Sequence, residues 1–171
     1  MPKPPPLRDA LLETFARLGV ESPEDWVDSQ LEEGIPQLHR AAFLAKAWTV
    51  IPDERSEAWM EQLVDSYRRD PEAPYAGAGK AIASLRAKGA TAMELTDLVR
   101  AMQAELLFHI SYLLSDPGYA PDERFEHPLL EATRWALVTL DEQNQTGELI
   151  DGLHESVLET DPMGREVRPI E

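Results

Sequence analysis

Apolar side chains recur every three or four residues along the first two thirds of the chain, which is the spacing of one face of an α-helix. The first such segment carries Leu7, Leu11, Phe15 and Leu18. Glycine and proline residues interrupt the pattern and separate successive segments. The pattern predicts seven helices, at about residues 7–18, 22–33, 36–51, 54–69, 77–88, 91–115 and 127–140.

The sixth segment is the longest, and its start carries a clear local signal. Thr91 and Glu94 match a capping box, in which each side chain accepts a hydrogen bond from the other residue's backbone N–H. The rest of the segment is apolar on nearly every side, as is typical of a helix at the centre of a domain. We therefore expect an all-α fold, a helical bundle of about seven helices around a central buried helix at about residues 91–115. Substitution of Leu106 or Ile110 by a polar residue should then severely destabilise the folded protein.

The two ends of the chain differ from its middle. Residues 1–6 contain four prolines, which exclude a helix and predict a mobile Pro-rich tail. Residues 7–171 are expected to form a single helical domain, because a chain of 171 residues fits one domain. Near the C-terminus, residues 141–147 are polar and indicate a loop, whereas residues 152–158 suit either a strand or one helical turn. We expect a short irregular C-terminal segment that docks on the outside of the bundle.

The chain is strongly acidic, with 32 acidic and 16 basic residues and a net charge of −16. Nucleic acids and anionic membrane surfaces would be repelled, because both bind proteins through lysine and arginine. Basic proteins would be attracted, and their association would be faster. The charge therefore predicts no nucleic-acid and no membrane partner and favours a basic protein partner. Solubility alone is the other explanation of the same charge.

Several kinds of chemistry have no signal in the sequence. There is no cysteine, which removes disulfides, thiolate nucleophiles and cysteine-ligated zinc. No serine lies in a Gly-x-Ser-x-Gly elbow. The residues from Gly77 to Lys80 suggest a phosphate loop, but no strand precedes them, and close helix packing explains the small residues better. The sequence shows no secretory signal and no long apolar run, so we expect a cytoplasmic protein. Because these motifs are missing, we also expect that it uses no metal and no cofactor.

A dense set of polar residues near the C-terminus is the first candidate site. Loops and weakly structured segments carry binding residues more often than helices do, so this set could form a recognition surface. The alternative is a solvated tail whose apolar residues Leu153, Val157 and Leu158 pack on the bundle. The candidate residues are His154, Glu155, Glu159, Asp161, Arg165 and Glu166.

A second candidate site lies on the predicted central helix. Glu105, His109 and Tyr112 share one helix face, and a carboxylate beside an imidazole can bind a metal or transfer a proton. However, a single histidine does not match the two-histidine zinc motif, and the sequence contains no Glu-x-x-His motif of di-metal bundles. A buried polar pair that satisfies its own hydrogen bonds is the alternative interpretation.

Two stretches, residues 89–118 and 152–169, resemble segments of small uncharacterised bacterial all-helical proteins. The resemblance covers about a third of the chain. It implies a bacterial, cytoplasmic, standalone domain, and it implies no activity and no residue roles.

Two functional classes follow from these observations. The first is a non-enzymatic protein-binding domain, such as an acidic immunity-type or antitoxin-type inhibitor, or an adaptor. The second is a helical bundle that binds a small ligand or metal, or an enzyme, with Glu105, His109 and Tyr112 as its site. The small size, the acidic charge and the missing catalytic signature favour the first class.

Overall fold

A computed structural model describes residues 7–119 and 123–169, except for the side chain of Glu131. These residues are mostly helical and include one small antiparallel sheet. The predicted Pro-rich tail, residues 1–6, lies outside the described ranges. The elements are α1 (Leu7–Leu18), α2 (Pro23–Asp28), α3 (Gln37–Trp48), α4 (Ala58–Arg69), α5 (Ala76–Ala87), α6 (Ala92–Ser115), α7 (Pro128–Glu131), β1 (Val138–Leu140) and β2 (Thr146–Leu149).

The first six helices lie where the hydrophobic spacing predicts them. Gly34 ends the second predicted helix in the left-handed region, with φ of 74°, a conformation that glycine adopts without strain. At the start of α6, the Thr91 N–H donates to the Glu94 carboxylate at 2.8 Å, and the Glu94 N–H donates to the Thr91 hydroxyl at 3.1 Å. The capping box is therefore confirmed. The hydrogen bonds from the Thr91 backbone and side chain lower the pKa of Glu94.

The predicted seventh helix is wrong beyond its first turn. α7 begins at Pro128, and the His127 side chain caps it by accepting from the Leu129 N–H at 3.2 Å. The chain then leaves the helical conformation, and β1 pairs antiparallel with β2. The Asp141 carboxylate accepts hydrogen bonds from two backbone N–H groups of the connecting turn, each at 2.8 Å. This turn and the β-branched residues of β1 favour a hairpin over a longer helix.

The chain divides into two compact units. Unit 1 contains residues 1–48 and 105–166, and unit 2 contains residues 49–104 and 167–171. The prediction of a single domain over residues 7–171 stays a prediction. α6 begins in unit 2 and ends in unit 1.

The core of unit 1 joins its helical half to the C-terminal segment. Phe15 of α1 and Trp26 of α2 are buried with their ring centroids 5.9 Å apart. Leu153 and Val157 have no exposed surface. Leu153 begins a short 3₁₀ turn, Leu153–Ser156, and Val157 directly follows it, so the one-turn alternative was right. The alternative in which the apolar residues of this segment pack on the helices is right for Leu153 and Val157, whereas Leu158 is 43 % exposed. That the segment docks on the outside of a bundle stays a prediction.

The core of unit 2 is small and centres on three buried residues, Met60 of α4, Ile82 of α5 and Leu95 of α6. α4 and α5 form an antiparallel pair, whose ends are joined by an ion pair of 3.2 Å between Arg86 Nη1 and Glu57 Oε2. Apolar residues on the inner faces of the helices complete this core.

α6 is the longest helix, but the prediction that it is buried on all sides is wrong. Leu106 is 57 % exposed and Ile110 is 45 % exposed, whereas Arg100 is almost fully buried. The buried Arg100 guanidinium donates to the Pro52 carbonyl at 2.6 Å, and its Nε lies 3.8 Å from the Glu54 carboxylate. These contacts compensate for the burial of the Arg100 guanidinium on the inner face of the helix. Leucines occupy the outer face. A polar residue at position 106 is therefore expected to be tolerated.

The two glycines of α5 give a test of the α4–α5 packing. A Cβ at Gly79 would overlap the carbonyl oxygen of Leu63 and lie 2.6 Å from its carbonyl carbon, whereas a Cβ at Gly77 would meet nothing within 4 Å. We expect Gly79→Ala to lower the free energy of unfolding by about 1–3 kcal/mol. We expect Gly77→Ala to raise it by up to about 1 kcal/mol, because alanine favours a helix. Urea unfolding of both variants measures the difference, and equal effects would contradict the packing.

Candidate functional site

Arg40 of α3 ties the C-terminal segment to the helices of unit 1. The residue is 6 % exposed, and its Nη2 donates to the Gly152 carbonyl at 2.6 Å and to the Ser156 hydroxyl at 3.2 Å. The same nitrogen lies 3.7 Å from the Glu155 carboxylate. Burial lowers the pKa of Arg40, and the neighbouring carboxylates oppose that shift. The guanidinium thus holds the 3₁₀ turn in one position.

A groove of about 570 Å³ opens beside this turn within unit 1. Its walls come from the residues before and in α3, from the C-terminal end of α6 and from the segment after β2. Among the described residues that line it, there are three carboxylates, those of Asp116, Asp151 and Glu155, and one guanidinium, that of Arg40. Since Arg40 is already used in internal hydrogen bonds, the groove presents net negative charge to a ligand.

Two aromatic rings form one wall of the groove. The rings of Tyr112 and His154 meet edge to face, with centroids 4.9 Å apart. The Phe108 ring also meets His154 edge to face, with centroids 5.8 Å apart. Within the described part of the chain, the buried His154 Nδ1 has no hydrogen-bond partner. The structure thus brings together Tyr112 and His154, which belong to the two separate candidate sites of the sequence.

Glu105 and His109 lie apart from this groove, on the exposed face of α6. The His109 Nε2 is 3.9 Å from the Glu105 carboxylate, and both side chains are mostly exposed. The expected buried pair is therefore a surface pair. Within residues 7–119 and 123–169, no three carboxylate or imidazole groups come close enough to hold a metal ion.

The same exposed face of α6 carries a row of apolar side chains in unit 1, Leu106, Ile110 and Leu113. We call these three residues, with Trp135, the apolar row. The Trp135 indole N–H donates to the Leu113 carbonyl at 2.7 Å. That carbonyl would normally accept from the residue four positions later, but Pro117 has no N–H to donate. Trp135, itself 45 % exposed, is therefore anchored beside the row.

The remaining residues of the C-terminal candidate surface are spread over different surroundings. Glu159 accepts the indole N–H of Trp26 at 3.0 Å, which ties it to α2. Asp161 is buried and accepts the Met163 N–H at 3.1 Å, as in an Asx turn. Arg165 is partly buried and Glu166 is exposed. Of the six predicted residues, only His154 and Glu155 line the groove.

The negative charge of the chain is concentrated in unit 1. That unit contains 22 acidic and 8 basic residues, a net charge of −14. Unit 2 contains 10 acidic and 8 basic residues, a net charge of −2. The groove and the apolar row of unit 1 thus lie in the strongly acidic part of the molecule.

Comparisons with protein-family models, with curated proteins and with solved structures found no match to this chain. None of the described helices combines the length and the apolar character that crossing a membrane requires.

Arg40 is a site residue that the sequence reasoning missed, although a signal for it existed. Arg40 falls on the same helical spacing as Ala41, Leu44 and Trp48, which are the buried apolar residues of α3. Trp135 had no comparable signal, because its position depends on a carbonyl that Pro117 leaves free.

We expect Arg40→Met to lower the free energy of unfolding by roughly 1–3 kcal/mol, because the partly buried Gly152 carbonyl and the buried Ser156 hydroxyl lose their donor. Amides of residues 152–160 should also exchange hydrogen faster. The matched control is Arg17→Met, since Arg17 is exposed and, among the described residues, pairs only with Glu13 on its own helix. If both variants had the same stability, the Arg40 hydrogen bonds would not hold the segment.

Proposed function

We propose that this protein is a non-enzymatic binding domain whose unit 1 docks on a basic protein. One observation carries the proposal: the apolar row is exposed in a unit with a net charge of −14. Exposed apolar surface that is surrounded by polar residues is typical of a protein–protein interface. A strongly acidic surround favours a partner of opposite charge and accelerates its association.

The groove of unit 1 supports the same partner chemistry. Its carboxylates, Asp116, Asp151 and Glu155, would attract a lysine or arginine side chain. The faces of Tyr112 and His154 would contact the methylenes or the cation of that side chain. A basic side chain in the groove would fix the partner's orientation, and burial of the apolar row would supply most of the affinity.

We propose that the protein is an acidic inhibitor of a basic enzyme, of the immunity or antitoxin type. An adaptor that binds a basic protein is the other kind of binding domain that we propose. A bacterial origin and a cytoplasmic location belong to the proposal. The alternative of a metal, ligand or catalytic site at Glu105, His109 and Tyr112 has less support. The first two side chains are exposed, and Tyr112 faces a different group, His154.

The test is an affinity pull-down from native cell lysate at low and at high salt, with mass spectrometry of the retained proteins. We expect a basic protein at low salt and partial loss at high salt, because salt screens the charge attraction. Leu106→Asp should reduce retention at least tenfold and change the melting temperature little, since position 106 is exposed.

Leu7→Asp is the matched control for this pull-down. Leu7 is an exposed leucine of α1 in the same unit, and the substitution adds the same negative charge. Retention by this variant should equal that of the wild type. The proposal fails if no protein is retained at either salt concentration, or if both variants bind the partner equally well.

A further inference from the structure

A second groove, of about 720 Å³, lies entirely within unit 2. It is formed by α4, by α5, by the N-terminal half of α6 and by the residues that precede α4. Its volume falls within the range of small-molecule sites in proteins. The groove follows α4 from Trp59 to Arg69, ten residues that span about 15 Å of helix. It is therefore elongated.

α5 and the N-terminal half of α6 present mainly apolar side chains to this groove. α4 contributes two apolar side chains, Trp59 and Leu63, and three polar ones, Gln62, Ser66 and Arg69. The spacing on each helix is three or four residues, so one continuous face of each helix lines the cavity. Ile82 and Leu95 are buried at its base, whereas Leu85 and Leu98 are 40 % and 55 % exposed. The main apolar lining residues are Trp59, Leu63, Ile82, Leu85, Leu95 and Leu98.

Two buried polar atoms on the lining have no partner within the described residues. They are the indole Nε1 of Trp59 and the side-chain oxygen Oε1 of Gln103. Buried polar atoms without a hydrogen bond are costly, and in native proteins they are commonly satisfied by a ligand or a bound water. Both atoms are buried beneath the accessible lining, so a bound water would be their partner and not a ligand in the open groove.

The charge of the lining selects among ligands. The chain has twice as many acidic as basic residues, yet no carboxylate belongs to the described residues that line this groove. The one ionisable group there is the guanidinium of Arg69. No carboxylate of the described residues lies within ion-pair distance of it, whereas the neighbouring Arg68 pairs with Asp65 at 3.1 Å. Arg69 is therefore available to an external anion.

We propose that this groove binds an elongated apolar molecule with a carboxylate head, such as a fatty acid. The apolar chain lies along the helices, and Arg69 pairs with the carboxylate. This inference is independent of the proposed protein partner. It concerns unit 2 alone, and its ligand is an anion, whereas the proposed partner of unit 1 is a basic protein.

The experiment is a calorimetric titration of the full chain with dodecanoate below its micelle concentration. Dodecanol and dodecyltrimethylammonium serve as neutral and cationic comparisons of equal chain length. We expect dodecanoate to bind most tightly and the cation least tightly. Shortening the chain should weaken binding roughly fourfold for each methylene that leaves the groove.

Arg69→Gln should weaken dodecanoate binding roughly fivefold, the strength of an exposed ion pair, and leave dodecanol binding unchanged. Arg68→Gln is the matched control, because it removes the same charge from the adjacent residue outside the groove, and it should have no effect. Ala81→Trp, at an exposed lining position, should fill the groove and weaken both ligands at least tenfold. Circular dichroism and thermal unfolding verify that each variant is folded.

Three results would overturn the proposal. A dodecanoate titration that gives no measurable heat, or heat that does not saturate, would exclude this class of ligand. It would favour a helix of another protein as the occupant of the groove. Equal binding of dodecanoate and dodecyltrimethylammonium would exclude recognition of the carboxylate. Unchanged binding by folded Ala81→Trp would place the site elsewhere.

Discussion

A buried guanidinium group needs hydrogen-bond acceptors, and the way Arg40 meets this need organises unit 1. Its acceptors, the Gly152 carbonyl and the Ser156 hydroxyl, belong to one 3₁₀ turn near the C-terminus. The turn carries Leu153 into the core and places His154 against Tyr112. The core of unit 1 and one wall of its groove therefore depend on the same cation. Without it, the turn would keep its apolar contacts but lose the hydrogen bonds that fix its orientation.

Local signals in the sequence predicted most of the helices and little of the site. The capping box of Thr91 and Glu94 and the close approach at Gly79 involve neighbours in sequence or on the adjoining helix, so residue type and spacing suffice to find them. The spacing of α3 also places Arg40 on a buried face. It cannot show that the acceptor, Gly152, is 112 residues away. The site needed that long-range contact, which no local pattern encodes.

The two wrong predictions about helices share a physical cause. The spacing of apolar residues shows which residues could be buried, but it does not show which residues are buried in the folded chain. In α6 the leucines exceed the buried positions, so Leu106 faces outward while Arg100, neutralised by its own partners, takes an inner position. In the predicted seventh helix the apolar spacing continues to Leu140, yet β1 pairs with β2 instead, and the hydrogen bonds to Asp141 stabilise the turn that joins these two strands. Tertiary contacts and turn chemistry override a weak local preference.

The net charge of the whole chain hides the difference between the two units. A charge acts over about 8 Å at physiological ionic strength, so the residues that line a groove decide its ligand more than the sum over the sequence does. Unit 1 combines a net charge of −14 with exposed apolar side chains. The charge attracts a basic partner from a distance, and the apolar side chains are buried when that partner docks. Unit 2 is nearly neutral, and among the described residues that line its apolar groove Arg69 is the one that carries a charge. An acidic chain can therefore bind a basic protein with one unit and an anionic amphiphile with the other, because each preference is set by different neighbouring groups.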